Sequence, residues 1–484
     1  MRHCIKMTNR RRCTMEKKLI VRILALLLCW NVATPLSAKP DSKEKAGKDV
    51  WVTVFVHGSF SLKPHLTLSN AMNVIFDRIQ DSVYYRSTEI NRRDPFFYKN
   101  QVMMDFGLHK IDFQHPNKEQ AARIITASYD RISQYAGNAP SDEYYAFGWS
   151  GLVSHQLRYL EAGILYQELS EVVKSIKKQG KNPKVRIISY SHGGNLSIQL
   201  GAVHVTKTPA DQFTIDELYL LGTPIQIETD YLINSPLFKR IYNFYSKADS
   251  IQKLDFFSFK RFFSNRKFTA RKNFQLPDKL TQIRLEIIDY TPKDINSTIP
   301  FPRDEKILRK HFKKCHYDPG HFELWFMGWT ILSYRKNFPL NPLPIIDFLP
   351  IIVEDLHKNQ EISNDLVIKL LPYKETMEIY NYKKFVYHQH LVTEKPFLPK
   401  KLMEDLATTA LKYEPTNYNL ETYNRKMYDA VAIAQYEYNQ LHKLKVSEFK
   451  KIKRDKENNK DMNQGRNVVN LQKKKKHTKQ GFLA

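Results

Sequence analysis

The apolar positions of this chain fall mostly into short runs. Val52-Thr53-Val54-Phe55-Val56 is β-branched and aromatic and stops at His57-Gly58. Val185-Arg186-Ile187-Ile188 stops at Ser189-Tyr190-Ser191. Leu218 to Leu221, Ile241 to Tyr245 and Ile283 to Ile288 have the same character. Such runs, bounded by Gly, Ser and Asp, read as buried strands. Leu196, Ile198, Leu200 and Val203 suit a helix that opens at Gly193-Gly194, and Phe322 onward reads as another buried helix. Beyond about residue 340, Pro339, Pro342, Pro344, Pro350 and Pro372 punctuate apolar segments. Leu366 to Leu371 has strand character there. Met427, Val431, Ile433, Ala434, Tyr438 and Leu441 mark a terminal helix over Tyr423 to Leu444. This last third is compatible with packing on the preceding part or with a small module of its own.

The junction at Ser191 carries the most chemistry. A strand, a serine on a sharp turn and a helix opening with two glycines make the layout of a nucleophile elbow. The usual pattern is G-x-S-x-G, and Ser189 stands where the first glycine belongs. The plain alternative is a Ser/Gly turn between any strand and helix. A serine that attacks a carbonyl also needs donors for the oxyanion that develops. The backbone N–H of His192 is one candidate. The other lies in the His57-Gly58-Ser59-Phe60 turn, near Ser59, where Gly58 allows close backbone approach.

Val56-His57-Gly58, Phe147-Gly148-Trp149-Ser150-Gly151, Ser189-Tyr190-Ser191-His192-Gly193-Gly194 and Leu221-Gly222-Thr223-Pro224 together resemble the α/β-hydrolase superfamily in its lipase and esterase branch. The resemblance spans roughly residues 50–330. It implies an α/β fold: a mostly parallel sheet with helices on both faces, plus a C-terminal extension outside the match. It also implies a triad in the chain order serine, acid, histidine. With Ser191 as nucleophile, the acid expected after the Ile241–Tyr245 strand is Asp249, with Asp255 next in line and Asp289 behind it. The histidine expected is His321, which follows Gly320 and opens a helix; His316 and His311 compete. Histidine would accept the serine proton and return it to the leaving group, while the carboxylate fixes the tautomer. Ser150 is a rival nucleophile, but Leu152 stands where the second elbow glycine belongs.

Composition changes the picture at the ends. Lys17 and Lys18 precede a mostly apolar stretch from Leu19 to Trp30 and then Pro35-Leu36-Ser37-Ala38. Residues 1–38 therefore read as a secretory signal peptide, with Met15 an alternative start and an uncleaved membrane anchor the alternative role. Cys4, Cys13 and Cys29 lie in this leader, so cleavage leaves Cys315 as a single thiol and no internal disulfide. No Cys/His cluster has zinc-ligand spacing, and neither metal nor cofactor is expected. The formal net charge is +26. Eight Lys/Arg and one Glu lie in the leader, which leaves 26 − 7 = +19. Fourteen Lys/Arg against four Asp/Glu from Lys443 onward account for +10 of that. The composition predicts a disordered basic tail over 449–484. A second basic feature, Phe256-Phe257-Ser258-Phe259-Lys260-Arg261-Phe262-Phe263 through Arg271-Lys272, interleaves aromatics with cations. It suits an anionic membrane surface, or a set of phenylalanines packing an insertion onto the core. No nucleic-acid module is present.

The domain reading is thus 1–38 leader, 39–338 catalytic domain, 339–448 partly helical extension and 449–484 tail. The functional expectation is an exported, periplasmic or extracellular serine hydrolase acting on carboxylic esters, with lipid-like acyl groups foremost. Thioesterase, amidase and acyltransferase chemistry use the same machinery. The alternative is a catalytically silent α/β-hydrolase fold that binds an anionic membrane or surface, motivated by Ser189 and the basic aromatic segment.

Overall fold

The computed structural model describes residues 47–479 apart from 60–78, 80–81, 100, 115–119, 138–140, 254–263, 290–315, 327–337, 355, 357–362, 383–388 and 413–419. The leader and all four cysteines lie outside the described residues. Among those described, no helix is long and apolar enough to cross a membrane.

The strands are β1 (Asp49–Val56), β2 (Gly107–Lys110), β3 (Glu143–Gly148), β4 (Asn182–Tyr190), β5 (Glu217–Leu221), β6 (Ile241–Tyr245), β7 (Leu280–Ile288), β8 (His316–Tyr317), β9 (Asp365–Leu371), β10 (Thr376–Tyr382) and β11 (Gln389–Pro396). They form one 11-stranded sheet in the order β11-β10-β9-β7-β6-β5-β4-β1-β3-β2, with β8 set against β7. The run from β3 through β1, β4, β5, β6 and β7 to β9 is parallel throughout. β2, β8, β10 and β11 pair antiparallel.

Successive residues of a strand face opposite sides, so each central strand feeds two cores. Val52, Val54 and Val56 of β1, Val185 and Ile187 of β4, and Leu218 and Leu220 of β5 lie in one core. Phe55, Ile188, Tyr190, Tyr219 and Leu221 lie in the other. This is why the sequence shows continuous apolar runs instead of alternation. Helices α3 (His155–Lys178) and α4 (His192–His204) cover the first face, and α2 (Ala121–Tyr135) the second. α3 starts where Ser154 accepts the Leu157 N–H at 3.1 Å and ends on Lys177 and Lys178, which suit the negative end of the helix dipole. α1 (Val83–Arg92) is capped in the same way by Ser82, which accepts from Tyr85.

The last third of the chain joins the same sheet. β9 adds in parallel to β7, and β10 and β11 follow as antiparallel neighbours. Ile345, Ile346 and Phe348, with Leu349 and Ile352 of α5 (Leu349–Val353), enter the core that holds Phe55 and Ile188. Leu406 and Ala410 of α6 (Lys400–Leu411) enter it too. The long helix α7 (Leu420–Lys479) packs beside α1 through Arg86–Glu437 at 3.5 Å. Met427 meets Phe97 and Met103, and Lys426 pairs with Asp94. α7 continues beyond Phe449, where the composition predicts no regular structure. The Lys, Arg, Gln and Glu that keep this segment from building a core are also good helix formers.

An ion pair joins two neighbouring strands inside the sheet. Arg186 of β4 donates from Nε to Glu217 of β5 at 2.6 Å, its guanidinium lies 4.6 Å from the Trp51 ring centre, and both side chains are almost fully buried. Arg186→Ala leaves Glu217 buried without this partner, so it should cost about 3–5 kcal/mol. Urea unfolding of the variant beside the wild type measures that loss as a lower transition midpoint.

Candidate active site

β1 and β4 are neighbours, but the chain leaves them toward opposite edges of the sheet, from β1 toward β3 and from β4 toward β5. A crevice forms beyond the carboxyl ends of strands at such a point. His57-Gly58 follows β1 and Ser191 follows β4 at that position.

Ser191 has φ 51° and ψ −128°, an unusual conformation for a residue with a side chain. Such a conformation costs on the order of 1–3 kcal/mol and persists only when its surroundings enforce it. The Ser191 N–H donates to the Leu221 carbonyl and the Gly194 N–H to the Ser191 carbonyl, each at 2.9 Å. Two glycines let the backbones close in. A Cβ on Gly58 would lie 2.9 Å from Ser191 Cβ, and one on Gly193 would run into the His57 carbonyl oxygen. Ser189 fits in place of the usual glycine because its hydroxyl shares a 2.7 Å hydrogen bond with Ser197 of α4.

The imidazole of His321 joins the other two residues. Its Nε2 lies 3.1 Å from Ser191 Oγ, and its Nδ1 lies 2.7 Å from Asp249 Oδ2. Asp249 is fully buried, and Ser191 and His321 nearly so. With Asp249 accepting at Nδ1, the Nε2 lone pair faces the serine hydroxyl. The other Asp249 oxygen accepts the Gln252 N–H at 2.9 Å, and Arg266 Nε donates to the Asp249 carbonyl at 2.9 Å. Tyr190 donates its hydroxyl to the His321 carbonyl at 3.0 Å, while its ring stacks on Trp325 with centroids 5.4 Å apart.

The loop after β1 is braced from β3. Trp149 Nε1 donates to the His57 carbonyl at 2.8 Å, and the two rings stack with centroids 5.6 Å apart. His57 Nδ1–H donates to the Gly58 carbonyl at 2.7 Å. Burial, aided by the Arg92 charge, holds the His57 pKa well below the usual imidazole range, so it stays neutral. Ser59 follows in this loop and His192 heads α4 beside it, so both backbone segments named as oxyanion donors border Ser191. The positive end of the α4 dipole adds to the same field.

Behind the elbow lies a set of buried charges. Arg158 donates to His192 Nδ1 at 2.7 Å and to Gln226 at 3.2 Å, which places the His192 proton on Nε2. Arg92 donates to the carbonyls of Trp149 at 2.9 Å and Met104 at 2.8 Å. Burial lowers the Arg92 pKa to about 10. Glu161 accepts the Ser150 N–H at 2.8 Å and the Ser150 hydroxyl at 3.1 Å, and burial raises its pKa to about 7.

The structure therefore brings Ser191, Asp249 and His321 together and leaves the described rivals elsewhere. Ser150 is engaged by Glu161. His316 sits in β8 near Glu286 and Asp318. Asp289 follows β7 outside the Ser191–His321–Asp249 series, and Asp255 and His311 lie outside the described residues. In the basic aromatic segment, residues 256–263 also lie outside. Farther along it Phe268 is buried, Arg266 is bound to Asp249, Lys267 pairs with Asp365 at 2.5 Å and Arg271 pairs with Asp230. Sequence reasoning missed Tyr190, Gln252, Arg266, Arg158 and Glu161. Only Gln252, three residues past the acid, carried a local clue, that of a side chain capped by a following N–H. No protein-family model matches this sequence, and no curated protein matches it significantly.

The raised Glu161 carboxyl has a thermodynamic consequence. Its folded pKa of about 7 exceeds the ordinary carboxylate value of 4.5, so between these limits the folded state holds more proton than the unfolded state. Stability from this group is full below 4.5 and is lost as the pH rises through 7. Thermal unfolding at a series of pH values should therefore show wild-type stability falling relative to Glu161→Gln over that window. Parallel curves for the two proteins would contradict the raised carboxyl.

Proposed function

We propose that this chain is an exported serine hydrolase of the α/β-hydrolase type, which cleaves carboxylic esters, lipid-like acyl esters foremost, through an acyl-enzyme on Ser191. The observation that supports it is the hydrogen-bonded series Ser191 Oγ–His321–Asp249, set at the crevice between β1 and β4 with the serine on a positive-φ turn.

The chemistry follows from that order. His321 Nε2 takes the hydroxyl proton as Ser191 Oγ attacks the ester carbonyl. The oxyanion meets the backbone N–H groups of His192 and Ser59; one such donor is worth about 2.7–4 kcal/mol in the transition state. The imidazolium beside Asp249 then protonates the departing alcohol, and water repeats the sequence to release the acid. Phe322, the residue after His321, is exposed, so apolar surface borders the histidine. That favours acyl substrates of apolar character. The reading of a silent fold is motivated by Ser189 and by the basic aromatic segment; the Ser189–Ser197 hydrogen bond accounts for Ser189 without loss of the nucleophile, and residues 256–263 of the segment lie outside the described residues.

The test is covalent labelling by a fluorophosphonate, followed by turnover of p-nitrophenyl esters beside phospholipids and peptides. Wild type should label once, at Ser191, and Ser191→Ala should not label. Asp249→Asn and His321→Ala should each lower kcat by about 10⁴-fold, and combining either with Ser191→Ala should add little, because the three act as a unit. A folded wild type that neither labels nor turns over any ester would sink the proposal.

A further inference from the structure

We propose that Glu286, His316 and Asp318 bind one divalent transition-metal ion, zinc being the best fit, beside the turn that carries His321. Each offers one ligand atom, and the three atoms lie within 4.8 Å of one another. His316 Nε2 is 3.7 Å from Glu286 Oε2 and 3.4 Å from Asp318 Oδ1. Four ligands placed tetrahedrally at zinc bond lengths of about 2.0–2.2 Å stand roughly 3.3–3.6 Å apart. The spacing is thus wide for good hydrogen bonds and close to that around a small cation.

The fold explains how the three meet. β8 runs antiparallel to β7 with Ile288 opposite His316. Glu286 is two residues back along β7 and so faces the same side as Ile288, diagonal to His316. Asp318 comes two residues after His316, in the turn that leads through Pro319 and Gly320 to His321. Among the described residues, one carboxylate oxygen of the cluster has no hydrogen-bond donor. Asp318 Oδ1 is buried with no hydrogen bond, an arrangement that is costly for a carboxylate. Glu286 is 2% exposed, and Arg284 holds its other oxygen, which leaves Oε2 toward His316. A hydrogen-bonded second oxygen is a common way of orienting a ligating carboxylate. One imidazole with two carboxylates suits zinc or its neighbours better than calcium or magnesium, which take oxygen ligands.

An ion here ties β7 and β8 to the His321 turn, and the three protein ligands leave a position for water. The inference does not depend on hydrolysis, and it is tested without substrate. Tag-free full-length protein carrying Ser191→Ala is stripped with chelator and titrated with ZnCl2 by calorimetry. One site per chain is expected, with a higher unfolding temperature. Glu286→Gln, His316→Gln and Asp318→Asn should each remove that site and that shift, while Ca²⁺ and Mg²⁺ should produce neither. The chain has 16 histidines, so the variants separate this site from adventitious binding. Asp318→Asn, the most exposed of the three ligands after His316, serves if Glu286→Gln fails to fold. Co²⁺ bound to the same site should give the intense visible absorption of four-coordination, absent from the variants. No Zn²⁺ binding by the parent protein, or binding that all folded variants keep unchanged, would overturn the proposal.

Discussion

The conformation of Ser191 is the constraint around which its surroundings are arranged. A side chain at φ 51° is not stable on its own. It survives because β4 and α4 hold its two ends, because Leu221 accepts its N–H, and because the loop after β1 lies hard against it. Each support belongs to a different stretch of chain. The serine hydroxyl is therefore presented by the sheet as a whole, and the short separation between β1 and β4 matters as much as the turn.

The same economy governs the histidines around the turn. His57, His192 and His321 each have one ring nitrogen matched to a specific partner: a carbonyl, a guanidinium and a carboxylate. Each partner selects a tautomer, and only His321 is left with an acceptor nitrogen against a hydroxyl. Arg92 and Arg158 put positive charges close behind, at low exposure, where water screens them little. A field of this kind is built before any ligand arrives and does not need to reorganise.

Much of this was legible in the sequence, for physical reasons. Strands buried on both faces leave uninterrupted apolar runs, and glycine is required where backbones touch, so β1, β4, β5 and the Ser191 turn announced themselves. Chain order put the acid foremost in the loop after β6, with Asp289 after β7 behind it, and the histidine after β7, with His321 ahead of His316 and His311. Other features had no local trace. Arg158 and Glu161 occupy an amphipathic helix in which charged residues ordinarily face solvent. Whether residues beyond 338 pack separately could not be read from apolar segments alone, since β9 looks the same whether it pairs with β7 or with a strand of its own module. Glu286 and His316 are separated by the whole stretch 290–315, so no spacing rule marks them as neighbours. The terminal segment has too few apolar residues to build a core, yet its Lys, Arg, Gln and Glu favour the helical backbone it adopts.

The parallel pairing of β7 with β9 also sets an order in time. As the chain is made, β1 through β7 emerge first, with Ser191 and Asp249 already on them. Until residues 365–371 appear, β7 is an open edge, and the core beneath Phe55 and Ile188 lacks Ile345, Phe348 and Ile368. An open, apolar edge is a template for unwanted pairing, and contacts between such distant segments form slowly. The last third of the molecule thus completes the core and covers the edge that the first two thirds leave open. A nascent chain must therefore be kept from its neighbours until β9 arrives.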